Sequence, residues 1–140
     1  MALYLDASVM LPTLVAEATS STVLGFLAAA TDELLVSDYA AAEVASALSR
    51  LVRMGRLSTD AGRNRLARFD SWRNADTSPI ALDNTDVQAA AVLVRRFELK
   101  LRTPDALHLA VSVRLGARLV TYDGTLADAA AACGTPAIRP

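Results

Sequence analysis

The chain has one cysteine, Cys133, and one histidine, His108, in 140 residues. A lone cysteine excludes an intramolecular disulfide and any multi-cysteine zinc site, and it suits a reducing compartment, so a cytoplasmic protein is expected. Excess charge of either sign is also missing. The formal net charge is -1, which removes a general basic field as an argument for a nucleic-acid partner and leaves only a local patch to serve. Long hydrophobic runs are absent too. Glu17, Asp32-Glu33, Arg95-Arg96 and Arg114 interrupt every candidate before the roughly 18 apolar residues that span a bilayer, so no membrane association is expected. The opening Met1-Ala-Leu-Tyr-Leu-Asp6 lacks a basic start, and Asp6 ends its apolar run too early for a signal peptide. There is no internal repeat, low-complexity tract or linker.

What is present is core-forming material. Hydrophobic residues make up 53% of the chain and charged ones 21%, a globular composition at the length of one domain, here residues 1–140. Short apolar runs alternate with longer segments of helical period, the pattern of an α/β fold built from βαβ units. Strands are expected at Ala2 to Leu5, Leu34 to Ser37, Ile80 to Leu82 and Arg118 to Tyr122, with a possible edge strand at Ala137-Ile138.

Between Tyr39 and Met54, apolar residues at Ala40, Val44, Ala47/Leu48 and Leu51 mark a helix that Gly55 stops. Ser58 is placed to cap a second helix running to about Trp72. A third, opened by Asp83 and Asp86, carries Val87, Ala90/Ala91, Val94 and Phe97 on its apolar side. A fourth has Thr103 as cap and Pro104 in the first position, where a missing N–H costs nothing. It is apolar nearly all round to about Leu115 and should be buried. Ser8 to Ala30 reads as two helical pieces separated near Ala18 to Ser21, with Pro12 tolerated in a first turn.

In an open α/β sheet, ligands gather beyond the carboxyl ends of the strands. Asp6 ends the first strand and Asp123 ends the late one. Asp105 lies in the first turn of the buried helix, at the same expected edge, and Glu43 sits one turn into its helix among Ala40, Ala42, Val44 and Ala47. Each acid also has an ordinary reading. Asp6 and Asp123, the latter followed by Gly124, suit turns; Asp105 suits a helix N-terminus; Glu43 suits a solvated helix face. Should the four converge, like charges at ~4 Å repel by about 4 kcal/mol at an effective dielectric near 20, and the cluster needs a cation. A donor set of hard oxygens favours Mg²⁺ or Mn²⁺ over zinc, and magnesium completes its shell with water and phosphate oxygens, which points to phosphoryl chemistry.

The segments Leu5-Asp6-Ala7-Ser8, Glu43 with Ala47-Leu48-Ser49-Arg50, Arg102-Thr-Pro-Asp105-Ala-Leu-His-Leu-Ala110 and Thr121-Tyr-Asp123-Gly-Thr-Leu-Ala127 together resemble the signature of the PIN-domain family, in its order and at family-like separations. The stretch from Thr103 to Ala110 is the most specific. The likeness extends to VapC-type toxins of type II toxin-antitoxin systems. It implies a three-layer α/β/α sandwich with a short, mainly parallel sheet of four to five strands. It also implies a metal-dependent endoribonuclease acting as a toxin, with Asp6, Glu43, Asp105 and Asp123 as the acidic quartet that binds one or two Mg²⁺ or Mn²⁺ ions. Products with 5′-phosphate and 3′-hydroxyl ends go with it. The resemblance further implies Ser8 and Thr121 as groups orienting carboxylates or water, an RNA substrate, a cognate VapB-like antitoxin whose tail fills the acidic pocket, and a homodimer. For Asp128 an outer supporting role stands beside a solvated helix position. For His108, packing or capping stands beside general-base work.

Independently of family, the interval from Arg50 to Arg73 holds seven arginines against Asp60 and Asp70, a local charge of +5 and half of the 14 basic residues. Arg50 follows Glu43 by seven positions, on nearly the same helix face. Arginine grips phosphate in fork geometry, so Arg50, Arg53, Arg65 and Arg68 are candidates for guiding RNA toward the acids; a merely solvated arginine-rich surface is the other reading. Trp72 is a weaker candidate for base stacking. Two rivals remain. One is a catalytically silent PIN-like module that binds RNA or protein. The other is a phosphatase of the haloacid-dehalogenase sort, which wants a second acid two residues after Asp6, where this chain has Ser8.

Overall fold

The computed structural model describes all residues, Met1 to Pro140. Four strands, β1 (Leu3–Leu5), β2 (Leu34–Ser37), β3 (Ser78–Ile80) and β4 (Arg118–Val120), form one sheet in the order β3-β2-β1-β4. Every pairing is parallel, with Leu3 opposite both Leu34 and Arg118, and Ser37 opposite Ile80. All four strands therefore deliver their carboxyl ends to one edge. Ile138 adds a single parallel bridge to Val120 at the far side of β4, in place of a full fifth strand.

The helices are α1 (Ala7–Met10), continued by a 3-10 turn over Leu11–Thr13 that begins around Pro12, α2 (Ser20–Ala29), α3 (Asp38–Arg53), α4 (Thr59–Asp76), α5 (Asn84–Val94), α6 (Thr103–Arg114) and α7 (Gly124–Ala132). Side chains alternate across a strand, and the core divides accordingly. Leu3, Leu5, Leu34, Val36 and Val120 face Val9, Val23, Val44, Leu48 and Phe69 of α1 to α4. Tyr4, Leu35 and Leu119 face Ala90, Leu109, Leu126 and Ala130 of α5 to α7. The central sheet is thus covered on both faces, which is the three-layer α/β/α arrangement that the family resemblance implies.

Local chemistry fixes the helix starts. The hydroxyls of Ser37 and Ser58 accept from the amides of Ala40 and Ala61 at 3.0 and 3.1 Å. Asp83 caps α5 in a capping box closed by Asp86. Gly55, at φ +72°, turns the chain out of α3, and α4 then lies so close to it that a Cβ on Gly62 would meet Val52 Cγ2 at 2.8 Å. The two helices form an antiparallel hairpin.

Four local expectations are corrected. Helix α4 runs past Trp72 to Asp76, and β3 starts at Ser78, two residues earlier than the apolar run Ile80 to Leu82. Pairing with β2 sets its register; Pro79 is tolerated because β3 is an edge strand, and the Ala81 carbonyl is taken by Arg114 at 3.2 Å. Helix α6 is capped by Arg102 without a side-chain bond, and Thr103 is its first helical residue. Phe97 is not on α5: the chain leaves the helix at Arg95-Arg96, and Phe97 lies in a 3-10 turn, 85% exposed. The expected buried helix from Thr103 is found: Ala106 to Ser112 of α6 are buried without interruption. No helix is long and apolar enough to cross a membrane.

Candidate active site

At the carboxyl edge of the sheet, the chain leaves β1 into Asp6, which is only 4% exposed. Both of its oxygens are held by hydroxyls. Ser8 Oγ donates to Oδ1 at 2.6 Å and Thr121 Oγ1 donates to Oδ2. Each hydroxyl is aimed by a backbone donor behind it: Tyr122 N–H donates to Ser8 Oγ at 2.9 Å, and Asp123 N–H donates to Thr121 Oγ1 at 3.0 Å. The residues after β1 and after β4 are in this way stitched into one unit. No cationic side chain reaches Asp6. Burial pushes its carboxyl pKa above the ordinary value, against the lowering by the two hydroxyls.

Asp123 ends the same unit and caps α7, its Oδ1 accepting from Leu126 N–H at 2.9 Å. Across from it, Asp105 enters in the first turn of α6. Its pKa is raised first by burial and next by the charge of Asp123, with a further push from Glu43. The charges of Asp123, at the start of α7, and Glu43, on α3, both bear on Asp105. Glu43, 30% exposed, turns its Oε1 onto Nε2 of His108. Tyr39, one turn earlier on α3, feels both Glu43 and Asp105, and its phenol pKa is raised by burial and those two charges. Asp6, Glu43, Asp105 and Asp123 thus share one edge of the sheet.

They do not form a ready-made cage: no three acid or imidazole side chains stand at metal-chelating separation. Each has a local reason. Each Asp6 oxygen already accepts from one hydroxyl, Asp123 Oδ1 caps a helix, and Glu43 Oε1 leans on His108. The donor set nonetheless fits a hard divalent ion, because magnesium takes one or two carboxylates and keeps several waters. Such an ion would offset both the burial and the neighbouring charges that raise Asp105.

Other residues singled out in the sequence are placed differently. Asp128 is exposed on α7 and makes no hydrogen bond. Arg65 is spent on structure, donating to the carbonyls of Leu14 at 2.8 Å and Ala61 at 3.4 Å. Arg68 lines a cleft of about 590 Å³ between α2 and α4 with Phe69 and Trp72. That cleft includes Leu34, at the amino end of β2, and none of Asp6, Glu43, Asp105 and Asp123; its lining is mainly apolar, with Asp32, Asp76 and Arg68 among its polar residues. Arg50 and Arg53 are exposed in the last turn of α3. With a rise of about 1.5 Å per residue, Arg50 lies roughly 10 Å along the helix from Glu43.

Sequence reasoning missed a buried polar chain beside the acids. Tyr4 OH lies 2.8 Å from Ser37 Oγ and 2.9 Å from His108 Nδ1. Tyr4 reads in sequence as one of three apolar strand residues, and nothing in its neighbourhood signals a hydrogen-bond partner 104 positions away.

Residues 3–132 match the profile of the PIN domain. The chain is 34% identical to Ribonuclease VapC46 of Mycobacterium tuberculosis, across 99% of this chain and 98% of that protein. Its fold is similar to that of VapC20 of Mycobacterium tuberculosis, described as a sarcin-ricin loop cleaving toxin, with a TM-score of 0.74, 21% identity and 99% of each chain covered. It is also similar to a chain of a toxin-antitoxin complex from Klebsiella pneumoniae, with a TM-score of 0.64, 18% identity, and 88% and 87% of the two chains covered.

Proposed function

This chain belongs to the PIN-domain family, and from that premise we propose that it is an Mg²⁺- or Mn²⁺-dependent endoribonuclease, the toxin of a toxin-antitoxin pair. The observation that carries the reading is Asp6: a buried carboxylate at the end of a central strand, with both oxygens oriented by hydroxyls and no protein cation to neutralise it. The whole-length likeness to a ribonuclease supports RNA as the substrate.

Asp6, Asp105 and Asp123 would hold one or two divalent ions, and Glu43 would either join them as a ligand or orient the attacking water and take its proton. Bound there, a divalent ion supplies a Lewis acid that polarises the phosphodiester and makes water nucleophilic at neutral pH. Ser8 and Thr121 keep the Asp6 carboxylate in one orientation, so no reorganisation is needed when phosphate arrives. The water oxygen would bond to phosphorus in line as the bond from phosphorus to the 3′ oxygen breaks, and that oxygen would take a proton from solvent, leaving 5′-phosphate and 3′-hydroxyl ends. Arg50 and Arg53 steer the strand electrostatically from the tip of the α3–α4 hairpin. Asp128 stays outside this machinery. The protein works in the cytoplasm as one domain over residues 1–140, as a homodimer restrained by a VapB-like antitoxin.

The test is cleavage of total RNA by the purified protein, with ends mapped, in chelator and after Mg²⁺ or Mn²⁺ is restored. Cleavage should need the ion and fall by about 100-fold or more in Asp6→Asn while the variant remains folded. Full activity of folded Asp6→Asn, or equal cleavage in chelator, overturns the assignment. RNA binding without any ion-dependent turnover would favour the silent binding module instead.

A further inference from the structure

The one histidine sits at a junction that the proposed chemistry does not use. His108, 3% exposed on α6, is flanked by the rings of Tyr4 and Tyr39, whose centroids lie 5.8 and 5.3 Å from its own. Both ring nitrogens are engaged, Nδ1 with Tyr4 OH and Nε2 with Glu43 Oε1. The ring therefore has one orientation.

Donor bookkeeping fixes the direction of the chain. Ser37 Oγ accepts from Ala40 N–H at the start of α3 and is fully buried, so its own hydrogen must find a partner. Tyr4 OH is the neighbour that supplies one, at 2.8 Å. Tyr4 then gives its hydrogen to Nδ1 of His108, which places the imidazole proton on Nε2, where it is donated to the Glu43 carboxylate. Every polar atom is satisfied only with this tautomer of a neutral ring. A second ring proton would reverse Tyr4 and leave the buried Ser37 hydroxyl without an acceptor. Burial also keeps Tyr4 protonated, its phenol pKa standing well above the ordinary value.

The chain begins at the cap of α3 and returns to Glu43 on the same helix, passing through β1 and α6. It holds Oε1. The other oxygen, Oε2, has no protein partner and is not among the buried unsatisfied atoms, so it is open to solvent. We propose that His108, aligned by Tyr4 and Ser37, is a positioning residue that fixes the Glu43 carboxylate with one oxygen presented to a divalent ion or its water. The proposal rests on the metal-nuclease reading of the acidic edge. It is the imidazole version of a partner that orients a metal-binding carboxylate, and removing such partners lowers metal affinity or activity by about 10–100-fold.

The experiment titrates Mn²⁺ alone into the full-length protein, reading the free-ion electron paramagnetic resonance signal, with kcat, KM for RNA and Tm recorded for each variant. His108→Leu should bind Mn²⁺ about 10–100-fold more weakly and lose kcat, with little change in KM. His108→Gln restores an N–H near the Nε2 position and should recover most of the affinity. Tyr4→Phe, which disorders the ring without removing its donor, should fall between them. If His108→Leu does not fold, the ordering of Gln and Phe variants against wild type decides the matter. Unchanged Mn²⁺ affinity in folded His108→Leu, or losses in all three that follow Tm and are not rescued by Gln, overturns the positioning role. Asp6→Asn keeps the two readings distinguishable. If it binds Mn²⁺ like wild type, the metal site itself is wrongly assigned; if it loses the ion while His108→Leu keeps it, only the role of His108 falls.

Discussion

Two aspartates, Asp6 and Asp86, are about equally buried, at 4% and 1% exposure, yet their surroundings differ in kind. Asp86, on α5, receives Arg114 Nε at 2.7 Å and Nη2 at 2.9 Å, and also accepts from Asp83 N–H at 2.8 Å. Its charge is matched where it stands, and the pair locks α5 to α6. Asp6 has two hydroxyls and no cation, with Asp105, Asp123 and Glu43 adding negative charge at the same edge. Bringing a carboxylate out of water without a counter-charge costs stability. The fold matches one buried acid with a cation and leaves the other without one. On the proposed reading, the second is the one that takes a positive partner from solution.

The comparison can be broken at several points. The largest effect expected is on catalysis: Asp6→Asn should lower ribonuclease turnover by about 3 kcal/mol or more, roughly 100-fold, because the ion's Lewis-acid contribution is worth several kcal/mol. A cleavage time course on the folded variant checks it. The mirror case is Arg114→Ala, which strands a buried carboxylate. Denaturant unfolding should show a loss of about 3 kcal/mol, near the lower end for breaking a buried pair because Arg114 is itself one-third exposed. Turnover per folded molecule should not change.

A subtler effect is in the pH dependence of stability. Burial and the charge of Asp123 raise the folded-state pKa of Asp105 above its value in the unfolded chain. Through the interval between the two values the folded state binds more protons, so this carboxyl's contribution is fully present at acid pH and is lost as pH rises through the raised value. The difference in Tm between metal-free Asp105→Asn and wild type should therefore widen in favour of the variant from about pH 4 toward neutrality, and it should close when Mg²⁺ is added. A difference independent of pH would mean that Asp105 carries no such strain. Smallest are the arginine effects. Arg50→Ala and Arg53→Ala should each reduce the slope of log affinity against log salt for single-stranded RNA by about 0.7. Arg65→Ala should leave that slope alone and cost about 1 kcal/mol of stability, since it removes a partly exposed bond to a carbonyl.

Much of the architecture is written locally. Ser37 and Ser58 stand where helices start, Gly55 where one stops, and the unbroken apolar run of α6 demands burial on all sides. The limits of β3 are not local. They follow from register with β2 and from Arg114 capturing the carbonyl beyond Ile80, both long-range events. The acids were legible because strand ends concentrate ligands and because Asp6, Glu43, Asp105 and Asp123 carry a family pattern. What the pattern hides is their support. Tyr4 and His108 look like core residues in sequence, and only the crossing of β1 under α6 brings their polar atoms together. Among the arginines, local charge density takes no account of Arg65 turning inward onto the carbonyls of Leu14 and Ala61.

The most direct measurement is the melting temperature of the metal-free protein as Mg²⁺ or Mn²⁺ is titrated in, for wild type and Asp6→Asn side by side. If the acidic edge is held in wait for a divalent ion, wild type gains stability with the logarithm of ion concentration, as mass action requires for a ligand of the folded state, and Asp6→Asn does not. Equal gains in both proteins, or none in wild type, would contradict the account.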